Sequence, residues 1–378
     1  MSKTNYKRLG DYIREVDIRN RDLKVTRLMG INIGKYFMPS VANVIGTDLS
    51  NYKVVAKNQF ACNLMHVGRD EKIPMAMLEN NESVIVSPAY FVFQISQLES
   101  LLPEYLMMWF RNPHFDKEAW FYTDSDVRGG MTKSALLDMK LPIPLIDQQQ
   151  KIVAEYNAIQ QRIKLNEQLI VKLEETAQTI YRKMFVDGID KNNLPEGWRI
   201  GSLTDIAIYL NGIACQKYTT NKNPYLPVLK IKELSQGYCD NNSSIVDTNI
   251  PKEYIINYGD VIFSWSATLF IDIWCGDKCA LNQHLFKITS NIYPKWFYFL
   301  WTKSHIEEWK RIISAKATSM GHIKREDLEN AKVIIPNKKV FGKLNSIFNP
   351  IIDSFCIIKK ENLKLNKIQS LLLTNMER

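Results

Sequence analysis

PLIDQQQKIVAEYNAIQQRIKLNEQLIVKLEETAQTIYRKMFVD, residues 144–187, carries an apolar seam of strict period seven. Ile152, Ile159, Asn166, Leu173 and Ile180 form one series, and Tyr156, Ile163, Ile170, Ala177 and Met184 follow four residues behind. An α-helix of 3.6 residues per turn drifts off such a stripe unless it supercoils around a partner, so the pattern predicts a long coiled-coil helix. The partner is in the same chain. Leu344, Ile351, Ile358, Leu365 and Leu372, with Phe348, Phe355, Asn362, Gln369 and Met376, repeat the seam 192 residues later. At 1.5 Å per residue each helix is a rod of roughly 60 Å.

The repeat extends upstream of the helices. Leu9, Asp11 and Ile13 of RLGDYI lie over Leu203, Asp205 and Ala207 of SLTDIA, at an offset of 194. FVFQIS (91–96) lies over HLFKIT (284–289), PEYLMMWF from Pro103 over PKWFYFLW from Pro294, and Ile143-Pro144 over Ile335-Pro336. A period near 190 residues is too long for a solenoid and marks a duplicated domain. The expected parts are a globular copy at 1–143, a central helix at 144–187, a second copy at 188–335 and a distal helix at 336–378. YKVVAKNQFACN and SVIVSPAYFVFQI are β-branched and aromatic runs between turn residues, hence strands. PEYLMMWFRNPHF starts with proline at a helix N1 position, and EYIINYGDVIFSW turns at Gly259-Asp260 between two strands. The aromatics of PKWFYFLWTKSHIEEWKRII suit a helix packed on a sheet better than a stacking platform for bases. The fold class is α/β (α+β) with a pseudo-two-fold internal repeat.

A two-fold relation between the copies makes the helices antiparallel and puts the globular copies at opposite ends of the rod, a dumbbell. Each seam holds one asparagine, and a buried amide needs a partner. Setting Asn166 opposite Asn362 pairs Tyr156 with Leu372, Ile163 with Leu365, Ile170 with Ile358, Ala177 with Ile351 and Met184 with Leu344. The neighbouring register sets Asn166 on Phe355 and strands the amide, at about 1–3 kcal/mol.

Composition narrows the function classes. With 378 residues, 46% of them hydrophobic, the chain can bury more than one core. No apolar run reaches membrane-spanning length and Met1–Gly10 is polar and basic, which predicts a cytoplasmic protein with no membrane partner. The six cysteines read as reduced thiols, and Cys275, Cys279 and His284 are too few and too oddly spaced for zinc. The net charge is +9, unevenly spread: 24 basic against 22 acidic residues up to residue 189, then 25 against 18. A cationic excess suits a phosphate-rich partner, because phosphate contacts release condensed counterions. Neither G-x-x-x-x-G-K-[ST] nor G-x-G-x-x-G occurs, nor an Asn/Asp-Pro-Pro-aromatic run, and the five histidines lie apart. Two rivals to a DNA reader stay open: a self-contained DNA-modifying enzyme with degenerate motifs, and a coiled-coil adaptor that binds no DNA.

With LPIPLIDQQQKIV at 141–153, this layout resembles the specificity subunit of type I restriction-modification systems over the whole chain. In that family a recognition domain ends in I-x-[IL]-P, followed by a glutamine and an isoleucine that opens the helix. Pro144, Gln149 and Ile152 fit, with Gln148 where glutamate is usual; the second copy keeps Ile335-Pro336 and Leu344 but has Phe341 for the glutamine. GINIGKYFMPSVANVIGTDLSNYKVV (30–55), YGDVIFSWSAT (258–268) and TSMGHIKREDL (318–328) add to the likeness. The resemblance implies two target-recognition domains separated by the antiparallel helices, and no catalysis by this chain. It implies a bipartite target on double-stranded DNA, two modification subunits using S-adenosylmethionine and two restriction subunits using ATP and Mg. Two readers on one face of B-DNA require half-site centres about one helical turn apart.

Candidate contacts follow from side-chain chemistry. In the first copy Arg19, Asn20 and Arg21 form a polar turn, and Arg and Asn pair bidentately with guanine and adenine edges. Lys35 and Tyr36 follow an apolar strand, Arg69 adjoins Asp70, and Arg128 and Lys133 flank Gly129-Gly130, where backbone could approach a phosphate. In the second copy Ser264, Trp265, Ser266 and Thr268 follow a strand. Lys316, Thr318, Ser319, His322, Lys324 and Arg325 form a basic, hydroxyl-rich run around Gly321, and Lys217 lies in a polar loop.

Overall fold

The computed structural model describes residues 6–41, 46–65, 67–123, 129–221, 223–315 and 322–376. It divides into two compact units, residues 1–161 with 367–378, and residues 162–366.

The first unit opens with β1 (Tyr6–Arg8), β2 (Ile13–Glu15), β3 (Met29–Ile31), β4 (Phe37–Pro39), β5 (Lys53–Val55) and β6 (Phe60–Cys62). Next come α1 (Val67–Asp70), β7 (Met75–Met77), β8 (Val84–Val86), β9 (Phe91–Ile95), α2 (Pro103–Arg111) and α3 (Pro113–Phe121). It continues through α4 (Lys133–Asp138), β10 (Lys140–Pro142) and the start of α5 (Ile146–Phe185). The strand runs expected from the sequence are β5, β6, β8 and β9. Its main sheet has the order β2-β9-β6-β7 and is antiparallel throughout, while β1 pairs with β10. Phe60 stacks on Phe93 at 5.1 Å and Phe110 of α2 meets Phe60 edge-on, so α2, buried from Tyr105 to Phe110, is a core helix. Its expected continuation breaks at Asn112, because the residue before Pro113 is pushed out of the helical region. Asn112 has φ −68° and ψ 128°, and its Oδ1 accepts from His114 N to cap α3.

The second unit holds β11 (Arg199–Ser202), α6 (Leu203–Ile206), β12 (Ile208–Asn211), β13 (Tyr225–Leu229), α7 (Ile231–Gln236), β14 (Ile245–Asp247) and β15 (Ile255–Ile256). It adds β16 (Val261–Ser264), β17 (Phe270–Ile273), β18 (Cys279–Leu281), β19 (Leu285–Thr289), α8 (Lys295–Ala315), α9 (Arg325–Asn330), β20 (Lys332–Ile335) and α10 (Lys338–Asn375). Its sheet order, β12-β19-β16-β17, is again antiparallel throughout, and β11 pairs with β20. The duplication read in the sequence is therefore a duplication of topology. Where the copies diverge, the second has a four-stranded sheet β14-β13-β18-β15 and the first has the separate pairs β3-β4 and β5-β8. Trp296, Phe297, Phe299 and Trp301 of α8 are buried in the core.

Within the second unit the helices run antiparallel. Asn166 Nδ2 donates to Asn362 Oδ1 at 2.8 Å and to Glu361 Oε2 at 3.0 Å, and Arg162 forks onto Glu361 at 3.0 and 3.1 Å. That hydrogen bonding holds the Glu361 carboxyl below the usual carboxylate range, Arg162 contributing most and Asn166 next. Farther along, Ala177 and Leu344 are buried in one apolar core, with Leu173, Ile180 and Ile351 half-buried against it. Ile358 and Leu365 are also half-buried. In the first unit Tyr156, Leu373 and Met376 share a core with half-buried Ile152, and Ile159 and Leu372 are half-buried.

The two domain-to-helix junctions are built differently. Gln149 is fully buried: its Oε1 accepts from Leu102 N, and its Nε2 donates to the carbonyls of Ser100 and Pro144 at 2.8 Å. Phe341, the repeat-related residue, packs against Tyr293, Trp296 and Phe297 at ring distances of 4.9–6.1 Å. An aromatic wedge thus replaces the amide clasp in the second copy. Among the described residues no helix is long and apolar enough to cross a membrane, and no cluster of metal-ligating side chains forms.

Candidate nucleic-acid interface

The β16–β17 hairpin of the second unit turns at Trp265–Leu269, and long-range contacts fix its shape. Trp265 Nε1 donates to Asn211 Oδ1 at 3.1 Å, and its ring lies 5.7 Å from Phe286, 6.1 Å from His284 and 5.6 Å from His322. The Trp265 carbonyl accepts from Ile323 N at 3.0 Å, which joins the hairpin to the segment entering α9. Ser264 and Ser266 are buried, so neither is a DNA contact as the sequence suggested. Ser264 Oγ donates to the Ser266 carbonyl, and Ser266 Oγ lies 3.3 Å from His284 Nδ1, so both hydroxyls are consumed in shaping the turn. Ala267, at φ +56°, and Thr268 are the exposed tip. His322, Lys324 and Arg325 stand exposed beside it, with Arg325 paired to Glu329 at 3.3 Å. Lys316, Thr318 and Ser319 lie outside the described residues. Lys217 is exposed on the short turn Cys215–Tyr218.

The first unit builds the same corner from different residues. Met131 N donates to the Leu64 carbonyl at 2.9 Å, the counterpart of the Ile323–Trp265 bond, so the β6–β7 connection meets the segment entering α4. Beside this bond two glycines bring backbone against backbone. Gly68 N donates to Gly129 O at 2.7 Å, and a Cβ on Gly68 would stand 2.7 Å from the Gly129 Cα. Gly129, at φ +57°, is buried; its close approach is to this chain's own backbone and not to a phosphate as expected from sequence. Lys133 pairs with Glu15 and lies 4.9 Å over the Phe91 ring, and Arg69 forks onto Asp70 at 2.8 and 3.0 Å. Exposed pairs of this kind are worth about 0–1 kcal/mol, so a phosphate can displace the carboxylate. Arg128 lies outside the described residues.

The remaining first-copy candidates gather around Asn51 and the β3–β4 hairpin. Arg19 donates to the Asn51 carbonyl and pairs with Asp17, holding that carboxyl below its ordinary range, and Arg21 reaches Asn51 Oδ1 at 2.9 Å. Asn20 is corrected from base contact to loop staple: it is buried, with Nδ2 donating to the Val25 carbonyl and Oδ1 accepting from Val25 N. Lys35 is corrected as well. Its side chain turns inward, is 4% exposed and ends 2.6 Å from Asp116, whereas Tyr36 stays exposed. The sequence reading missed Asn211 and His284 beside Trp265. His284 opens the HLFKIT stretch of the repeat, but nothing local places it near a hairpin 18 residues away.

Residues 195–369 match the family described as type I restriction modification DNA specificity domain. The chain is 25% identical over 277 residues to the type I restriction enzyme MjaIX specificity subunit of Methanocaldococcus jannaschii, covering 66% of this chain and 64% of that protein. It is 24% identical over 178 residues to the MjaVIII specificity subunit of the same organism, covering 46% and 40%. The matches thus span less than two thirds of either relative. In fold the chain is similar to a type I restriction-modification system S subunit from M. genitalium, with a TM-score of 0.55 at 12% identity over 98% of this chain and 95% of that one.

Proposed function

We propose that this chain, a member of the specificity subunits of type I restriction-modification systems, is a non-catalytic DNA reader that recognises a bipartite target, one half-site per domain. One observation carries the reading. The same hairpin-to-helix corner is built twice on the same sheet topology, with Trp265, His284 and His322 at one and Gly68, Gly129, Arg69 and Lys133 at the other. A shared sheet topology whose corners differ, the turn Trp265–Leu269 in one copy and a longer connection carrying α1 in the other, suits two readers of different sequences, since base edges are read by side-chain chemistry and phosphates by position. Joining two readers in one chain raises the effective concentration of the second half-site once the first is bound.

The recognition domains are residues 1–143 and 188–335. The partners are double-stranded DNA, two modification subunits that use S-adenosylmethionine to methylate adenine, and two restriction subunits that use ATP and Mg, all in the cytoplasm. This chain needs no cofactor of its own. Exchanging residues 203–330 for the corresponding domain of another specificity subunit tests modular reading. Half of the methylated motif should change and the other half should persist; a change in both halves would contradict it.

A further inference from the structure

The β3–β4 hairpin closes through Asn32–Tyr36, a turn held more firmly than an exposed loop requires. Lys35 N donates to the Asn32 carbonyl at 2.8 Å, Asn32 N to the Tyr36 carbonyl at 3.0 Å, and Gly34 N to Asn32 Oδ1 at 2.7 Å. Lys35 itself has φ +66°, a left-handed conformation that glycine or asparagine adopts at lower cost. The backbone does not call for a lysine here, and the side chain has a use. Its Nζ reaches Asp116 Oδ1 of α3 at 2.6 Å and the Ile73 carbonyl at 3.2 Å, and lies 5.2 Å over the Phe115 ring. The same Asp116 oxygen accepts from Ile73 N at 3.2 Å. One buried node thus ties the turn to the strand entering β7 and to α3, with Lys35 4% and Asp116 7% exposed.

Stability alone does not call for such a node. Desolvating two charges offsets most of their attraction, and apolar residues of similar volume commonly replace a buried pair at no loss. What the pair provides is a fixed direction. On the outer side of the turn Ile33 and Tyr36 are 47% and 55% exposed, large side chains presented to solvent from a rigid base. Discriminating contacts need their groups held within about 0.5 Å.

We propose that Lys35 and Asp116 are positioning residues that aim the Asn32–Tyr36 turn at the half-site read by the first domain, with Tyr36 the contacting side chain. The inference rests on the DNA-reading function proposed above. Neither buried residue touches DNA.

The test compares the wild-type chain with Tyr36→Ala, Lys35→Met and the doubly apolar Lys35→Met/Asp116→Leu, each produced with its modification subunit. The methylated motif, duplex affinity against salt, and thermal unfolding are measured for each. Lys35→Met alone strands a buried carboxylate and is expected to lose the most stability; the double variant removes both charges, leaves the Ile73 amide and carbonyl without these partners, and carries the test at temperatures well below its own melting transition. Tyr36→Ala and the double variant should both lose about tenfold or more in discrimination at one half of the motif only, with unchanged salt slope. Combining Tyr36→Ala with the double variant should add little, because all three residues act through one contact. Intact discrimination in the double variant, equal loss in both halves, or a salt slope smaller by about one would overturn the positioning role. A wild-type complex that yields no motif would overturn DNA reading itself, and this inference with it.

Discussion

Lys324 and Arg325 stand exposed where the chain enters α9, and Arg325 pairs with Glu329 on its own helix. They fit phosphate contacts. Replacing both with alanine should weaken binding to every duplex alike and lower the slope of log affinity against log salt by about two. A titration with an unchanged slope would remove them from the interface. At this scale the sequence is a good guide to chemistry and a poor one to direction. Lys35, Asn20, Ser264 and Ser266 are residue types that DNA readers use, yet all four are buried. Lys35 turns inward because of a carboxylate 81 residues away, and Gly129 is needed for a backbone crossing with Gly68. Neither can be read from neighbours in sequence. Trp265 was legible as an exposed-loop aromatic but not as the centre of a cluster with Asn211, His284 and His322, which arrive from three other segments.

The long helices were the most legible elements, since a seven-residue repeat is local information and each asparagine in it must find a partner. Asn166 and Asn362 meet with Glu361 and Arg162 in one polar layer. Asn166→Leu should cost about 1–3 kcal/mol by leaving the Asn362 amide oxygen without its donor, and the double change to leucine should recover most of that loss. Thermal unfolding of the three variants decides it, and a double variant as unstable as the single one would contradict the pairing. The junctions were legible only in part. Gln149 stood out through the family likeness, whereas two of its three backbone partners, Ser100 and Leu102, and the Tyr293 ring against Phe341 lie about 50 residues upstream. Strand positions were readable where β-branched runs met turn residues; the order β2-β9-β6-β7 was not, because non-sequential neighbours leave no local pattern.

For the molecule as a whole, the duplication carries the functional argument. A net charge of +9 attracts any polyanion, and in the function proposed above the paired sheets and corners would turn that attraction into two separate readings. Methylome sequencing of a host that lacks other adenine methyltransferases, expressing this chain with its modification subunit, addresses that claim directly. Two short defined half-sites separated by a spacer of fixed length and free sequence are expected, with a methylated adenine in each; a single continuous motif, or no motif from a folded and assembled complex, would contradict the account.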